Sequence, residues 1–222
     1  MILLIETSSS TATVAIAGGG RILFAEENPQ SKEHASWLHP AIKRILEQAG
    51  TEMKELQAVA VSAGPGSYTG LRVGMAAAKG ICYALQIPLV TVNTLQLMAE
   101  AMVLLAREKK ALICPMIDAR REEVFTAVYS ADMKEILAPQ ALILDKTSFE
   151  QILADNRIIF SGSGAEKWKI LTSSKNAVFS PQINVTESFM RISTRYLAEK
   201  KWTELTNSEP IYLKEFYTHA KI

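Results

Sequence analysis

The chain has 222 residues, 48% apolar and 21% charged, with a formal net charge of +1. That composition predicts a real core, and the length suits one large domain or two of about 100 residues each. The short basic groups Arg107-Glu-Lys-Lys110, Arg120-Arg121 and Lys200-Lys201 are scattered, which argues against tight nucleic-acid binding by the chain alone.

Met1-Ile-Leu-Leu-Ile-Glu6 lacks a basic leader and reaches a carboxylate too early for a signal peptide. No apolar run approaches the roughly 18 residues of a membrane span. Cys82 and Cys114 sit in apolar surroundings and read as reduced, buried thiols. Together these predict a cytoplasmic protein with no membrane partner.

In chain order, Ile2–Ile5 reads as an apolar strand, Ala12–Ile16 as a second, Gly18–Arg21 as a turn and Ile22–Ala25 as a third strand. Over Glu33–Ala49 the residues Leu38, Ile42, Ile45, Leu46 and Ala49 recur at helical spacing. Pro40 leaves two readings: a helix starting near His39, or a longer one kinked at the proline. Gly50 is its expected stop. The strand Ala58–Ser62 leads through a glycine-rich loop into a helix over Leu71–Leu85. Pro88–Val92 reads as a strand and Thr94–Glu108 as a helix, so the first half is βββαβαβα.

The polar break at 107–110 divides residues 1–108 from 109–222. The second half opens with a strand over Ala111–Ile117, a turn at Asp118–Glu122 and a returning strand over Glu123–Tyr129. Ile136–Leu144 reads as an edge strand because it contains Pro139. Phe149–Leu153 is a short helix and Arg157–Gly164 a strand ending in a small-residue turn. A final amphipathic helix spans Thr186–Lys200, with Phe189, Ile192, Tyr196 and Leu197 on one face. Two halves that both open with a meander suggest a duplicated α/β architecture.

The string Ser62-Ala-Gly-Pro-Gly-Ser-Tyr-Thr-Gly-Leu-Arg72-Val-Gly74 is the most distinctive. A glycine-rich turn between strand and helix is where phosphate is commonly held, on backbone N–H groups at the positive end of the helix dipole. It lacks the Gly-Lys-Ser/Thr ending of a P-loop. Its glycines equally serve a tight turn. Glu6-Thr-Ser-Ser-Ser-Thr11 carries five successive hydroxyls, readable as an anion loop or as a polar turn. Thr7, Ser8, Ser9, Gly64, Gly66 and Ser67 are accordingly the candidate anion or nucleotide loop. The small residues Gly74, Ala76, Ala77, Ala78 and Gly80 leave one side of the following helix nearly bare. The three histidines, His34, His39 and His219, form no triad. Asp118, Arg120, Arg121, Glu122 and Glu123 form the densest charge cluster, readable as a ligand-binding turn or as a solvated hairpin.

Ile5-Glu-Thr-Ser8, Gly64-Pro-Gly-Ser-Tyr-Thr-Gly-Leu-Arg72, Ile117-Asp-Ala-Arg120 and Pro210-Ile-Tyr-Leu-Lys214 together resemble the TsaB (YeaZ) family over essentially the whole chain. The glycine-rich string is the most specific of these, since the related TsaD shares Ile-Glu-Thr-Ser. The resemblance implies a duplicated actin/Hsp70/sugar-kinase-like (ASKHA) α/β fold, with two domains of mixed sheets flanked by helices. It implies a non-catalytic, dimerising scaffold subunit that binds a TsaD-like transferase. That transferase installs the threonylcarbamoyl group on N6 of adenosine 37 of tRNAs reading A-starting codons.

A TsaE-like ATPase would join through the complex and tRNA would be contacted indirectly. The chain alone would form a homodimer. The resemblance also places the dimer and partner surface on helices of the N-terminal domain, here His34, Leu38, Ile42, Ile45, Tyr68, Leu71, Arg72, Met75 and Lys79. The apolar stripe among them reads equally well as core. Where TsaD-like proteins carry a His-x-x-x-His pair after Val-Asn, this chain has Thr94 and Met98 in Val92-Asn-Thr-Leu-Gln-Leu-Met98, neither a ligand for a hard or borderline cation. The acid that TsaD-type chains place after Ile-Glu-Thr-Ser is replaced by serines around Ser10. No catalytic residue, metal or cofactor is therefore expected, although a nucleotide at the partner junction is compatible with the reading. The rival is a stand-alone ATP-dependent kinase or metallopeptidase of the same fold.

Overall fold

The computed structural model describes residues 1–30, 33–106, 108 and 110–214; His219 lies outside them. Strands β1 (Ile2–Glu6), β2 (Ala12–Gly18), β3 (Arg21–Asn28), β4 (Ala58–Gly64) and β5 (Leu89–Asn93) form one mixed sheet in the order β3-β2-β1-β4-β5. The meander β1–β2–β3 is antiparallel, whereas β4 pairs parallel with both β1 and β5. Strands β6 (Leu112–Asp118), β7 (Glu123–Tyr129), β8 (Glu135–Ile143), β9 (Ile158–Ser161) and β10 (Ala177–Phe179) repeat that pattern in the order β10-β9-β6-β7-β8. Here β6–β7–β8 is antiparallel, and β9 runs parallel to β6 and β10. Pro139 lies on β8, at the sheet edge, where a missing N–H breaks no interior ladder.

The six helices among the described residues are α1 (His34–Gln48), α2 (Tyr68–Leu85), α3 (Thr94–Leu105), α4 (Glu150–Asp155), α5 (Ala165–Leu171) and α6 (Thr186–Ala198). Strand alternation sorts the core into layers. Leu3 and Ile5 of β1 face α1 and α2, joining Leu38, Ile42, Ile45 and Met75. Ile2 and Leu4 face the other way, onto Leu97 of α3 and Phe189, Met190 and Ile192 of α6. The second sheet packs Cys114, Met116 and Phe160 against Trp168 of α5 and Leu153 of α4. Its opposite face meets Leu95, Ala99 and Met102 of α3. Helix α3 thus lies between the sheets, and α6 returns from the second half to cover the first sheet.

α1 is the longer of the two helices that the proline allowed, with Pro40 exposed inside it. Its stop is Gly50, at φ +61°, with the Thr51 N–H bonded to the Leu46 carbonyl. α2 begins three residues before the expected start, because Ser67 caps it by accepting from the Gly70 N–H. α3 ends at Leu105 rather than Glu108. α5 and β10 are not foreseen in the sequence.

Candidate functional site

The C-terminal ends of the parallel strands open onto a cleft of about 1310 Å³ between the sheets. Open α/β sheets place ligands at this edge. One wall carries Glu6 and Ser8 after β1, and Gly66, Tyr68 and Arg72 where β4 turns into α2. The other carries Asp118, Arg120, Glu123 and Ser163, and residues 211–214 border the same space.

The two loops of the first wall are pressed together. The Ser67 N–H donates to the Ser8 carbonyl (2.7 Å), and Thr7 Oγ1 donates to the Gly70 carbonyl (2.7 Å). A Cβ on Gly66 would collide with the Ser8 backbone, one on Gly70 with the Thr7 carbonyl, and one on Gly74 with Thr7 Oγ1. The glycines at these three positions are therefore required by the approach of β1 to α2. The loops' donors are largely engaged: the Ser8 N–H and Oγ both donate to Glu6 Oε1 (2.6 and 2.5 Å), the Thr7 N–H reaches Ser62 Oγ (3.4 Å) and the Gly70 N–H reaches Ser67 Oγ. Thr7, Ser8, Gly66 and Ser67 thus come together as the sequence suggests, and the N–H groups of Thr7, Ser8 and Ser67 bond within the chain. Gly64 is held elsewhere, its Cα side facing the Ile211 carbonyl. Ser9 Oγ bonds to the Thr11 carbonyl.

Glu6 is buried, and its Oε2 has no hydrogen-bond partner among the described residues. Burial raises its pKa above the ordinary carboxylate range, against the lowering effect of the hydrogen bonds from Ser8. Asp118 goes the other way. Its partial burial is outweighed by hydrogen bonds from Lys167 Nζ (2.7 Å) and the Arg120 N–H (2.6 Å), which hold it below the usual value. Arg120 and Arg121 both adopt left-handed backbone, at φ +67° and +51°. Burial also pushes the thiols of Cys82 and Cys114 up to about 11 and about 12, so both stay protonated at neutral pH.

Asn93 N-caps α3 by accepting from the Leu95 and Gln96 N–H groups. Thr94, which stands in place of the first histidine of the TsaD-like pair, is buried, and its hydroxyl has no hydrogen-bond partner among the described residues. Met98, one turn on, lines the cleft. Among the described residues no cluster of three or more His, Cys, Asp or Glu could hold a metal ion.

The sequence-selected partner residues fall into two groups. Leu38, Ile42, Ile45, Leu71 and Met75 are buried in the chain's own core. His34 is buried too, with Nε2 3.2 Å from the Ser9 carbonyl, so it pins α1 to the loop after β1. Arg72 is exposed, and Tyr68 and Lys79 are half-buried. What α1 and α2 turn outward is a shallow apolar groove of about 540 Å³, lined by Ala35, His39, Val73, Ala76, Gly80 and Ala84 among others. Tyr83 beside it is 73% exposed. The bare side noted in the sequence therefore divides: Gly74 and Ala78 are buried inward, Ala77 is buried at the edge of the groove that it helps line, and Ala76 and Gly80 are exposed. The signal for the split is the Arg72, Ala76, Gly80 spacing of four. The part played by Tyr212, Lys214 and Lys167 is not apparent from the sequence beyond the Pro210–Lys214 string.

A family model described as TsaD, tRNA N6-adenosine threonylcarbamoyltransferase, matches residues 26–208. The Escherichia coli tRNA threonylcarbamoyladenosine biosynthesis protein TsaB is 27% identical, over all of this chain and 97% of its own length. The chain belongs to the TsaD family, in its TsaB (YeaZ) group. In structure, YeaZ from Pseudomonas aeruginosa superposes with a TM-score of 0.79 at 22% identity, covering 96% of this chain and 99% of that one. A polyphosphate/ATP-glucomannokinase from Arthrobacter reaches 0.53 at 10% identity, covering 87% and 98%, in keeping with the actin/sugar-kinase-like fold. All four strings that carry the resemblance border the cleft or its strands: Glu6 and Ser8, Gly66 to Arg72, Asp118 to Arg120, and Ile211 to Lys214. No helix among the described residues is long and apolar enough to cross a membrane.

Proposed function

We propose that the chain acts in tRNA threonylcarbamoyladenosine biosynthesis as a non-catalytic subunit that binds and activates a TsaD-like transferase. The observation that carries this reading is the outward groove of α1 and α2. Its floor is made of Ala76, Gly80 and Ala84, flanked by the exposed Tyr83, so another helix can approach closely. An aromatic beside small residues suits the dry centre of an interface. A stable complex would bury about 1,200–2,000 Å² in total, so the groove would be the centre of a larger contact. The same face would hold a homodimer when the transferase is absent, meeting its own copy about a two-fold axis. A TsaE-like ATPase would join through the complex, and tRNA would be reached through the transferase. Activation would work by favouring the competent transferase conformation, not by lending catalytic groups.

The test is formation of threonylcarbamoyladenosine on unmodified tRNA, with the adenylate-forming enzyme, the transferase and the ATPase present, with and without this chain. Modification that requires the chain supports the subunit role. Equal modification without it overturns the reading. Turnover of ATP or peptide by the purified chain alone would favour the kinase or peptidase alternative.

A further inference from the structure

Residues 208–214 run from the α2 face across the cleft to its opposite wall. Lys79 Nζ donates to the Ser208 carbonyl (2.9 Å), the Ile211 N–H to the Ala63 carbonyl (2.6 Å) and Arg72 Nε to Tyr212 Oη (3.1 Å). The Arg72 guanidinium lies 4.2 Å from the centre of the Tyr68 ring, and the Tyr68 and Tyr212 rings are 5.3 Å apart. A Cβ on Gly64 would come within 2.5 Å of the Ile211 carbonyl, so the strap is seated tightly on the end of β4. At its other end Lys214 Nζ donates to the Ala119 carbonyl (2.8 Å) and Glu123 Oε2 (2.5 Å), and lies 5.6 Å from the centre of the Phe125 ring.

The turn gripped by Lys214 is the one that holds Arg120 and Arg121 in left-handed backbone. Such a conformation persists only where the surroundings impose it. Lys167 of α5 supplies part of the restraint, through Asp118 Oδ1 and the Arg121 and Glu123 carbonyls. Ser163 Oγ adds a bond from the Asp118 N–H, and Lys214 adds a restraint that comes from the strap, itself anchored on Arg72, Lys79 and Ala63. Two of those anchors sit on the helix whose outer face forms the groove.

We propose that residues 208–214 are a tether through which occupancy of the outer α2 face biases the Asp118–Glu123 turn across the cleft. This rests on that face being the partner surface proposed above. A partner that fixes Arg72 and Lys79 fixes the strap, and through Lys214 the turn. By linkage, whatever stabilises the turn raises partner affinity by the same factor. Hydrogen bonds fix both ends of residues 208–214, and the covalent chain between them joins the two walls.

Amide hydrogen exchange on the full chain tests this. The readout is Ala119 and Glu123, whose N–H groups bond to the Glu123 and Arg120 carbonyls. In the chain alone, the double variant Arg72→Met/Lys79→Met is expected to speed exchange at 119–123 at least threefold, with residues 112–117 of β6 unchanged. Lys214→Met should do the same. An unchanged turn in the double variant overturns the tether whether or not a partner exists. With a saturating TsaD-like subunit, exchange at 119–123 should slow at least threefold, and Lys214→Met should abolish that slowing while 68–85 remains protected. Protection of 68–85 with no change at the turn also overturns the tether. No protection at 68–85 counts against the partner surface itself, leaving the first arm to decide the tether.

Discussion

Gly74 and Gly80 lie on one helix and face opposite worlds. A Cβ at Gly74 would strike Thr7 Oγ1, whereas among the described residues nothing lies within 4 Å of one at Gly80. Gly74→Ala is expected to cost about 1–3 kcal/mol by overpacking the β1–α2 contact. Gly80→Ala should gain about 0.5–1 kcal/mol from helix propensity. Urea midpoints of the two variants check both signs. Glu6 makes a second residue-scale prediction. Its folded pKa is raised by burial, so its contribution favours folding below the unfolded carboxylate pKa and is lost as pH rises through the folded value. Glu6→Gln keeps an acceptor for Ser8 without the titration. Its stability relative to the parent should therefore improve as pH rises from the unfolded carboxylate value through the raised folded value, and level off above it. A difference that does not vary with pH would show that Glu6 is not the group titrating.

Helices α1 and α2 show what periodicity conveys and where it stops. Leu38, Ile42 and Ile45 recur at helical spacing, and that spacing correctly marks a helix with one dry face. It carries no information on whether the dry side meets the chain's own sheet or another molecule, because both want the same stripe. The structure places the stripe against Leu3 and Ile5. Ile45→Asp should accordingly abolish the folded circular-dichroism signal, an uncompensated buried charge costing roughly 3–5 kcal/mol. Ala76→Arg, on the outward side, should leave the melting temperature unchanged and weaken association with a TsaD-like subunit at least tenfold. Loss of fold in the second variant, or unchanged binding, would remove α2 as the partner helix. The strands were legible for a simpler reason: β1, β2 and β4 are near-continuous apolar runs bounded by glycine or polar turns. α5 and β10 were not, since seven and three residues give too short a window for any period to emerge. At the cleft, the glycine-rich string marked a tight strand-to-helix turn, but not that its glycines also admit the loop after β1. The grip of Lys167 and Lys214 on the Asp118 turn joins residues far apart in sequence, and no local pattern encodes it.

At the scale of the molecule, the repeat of strand order in the two sheets suggests two units, yet the helices do not respect the division. α3 presents Leu97 to the first sheet and Leu95, Ala99 and Met102 to the second. α6 belongs to the second half of the chain and packs Phe189 against the sheet of the first. Thr203 extends the link, its N–H bonding to the Leu89 carbonyl and its hydroxyl meeting Thr91 at 2.7 Å. Elements that cross in this way couple the stability of the two sheets, because neither can lose its layer without exposing the other's apolar face. Tryptophans report on each side: Trp37 bonds to Glu26 of β3, and Trp168 is enclosed beneath the second sheet. Phe189→Ala should cost about 3–5 kcal/mol, as a fully buried aromatic does. It should move the urea midpoint seen by Trp37 alone and by Trp168 alone, each isolated by Trp→Phe changes at the other two positions, by the same amount. A shift at Trp37 with none at Trp168 would mean that the sheets unfold independently and that α3 and α6 do not join them into one cooperative unit.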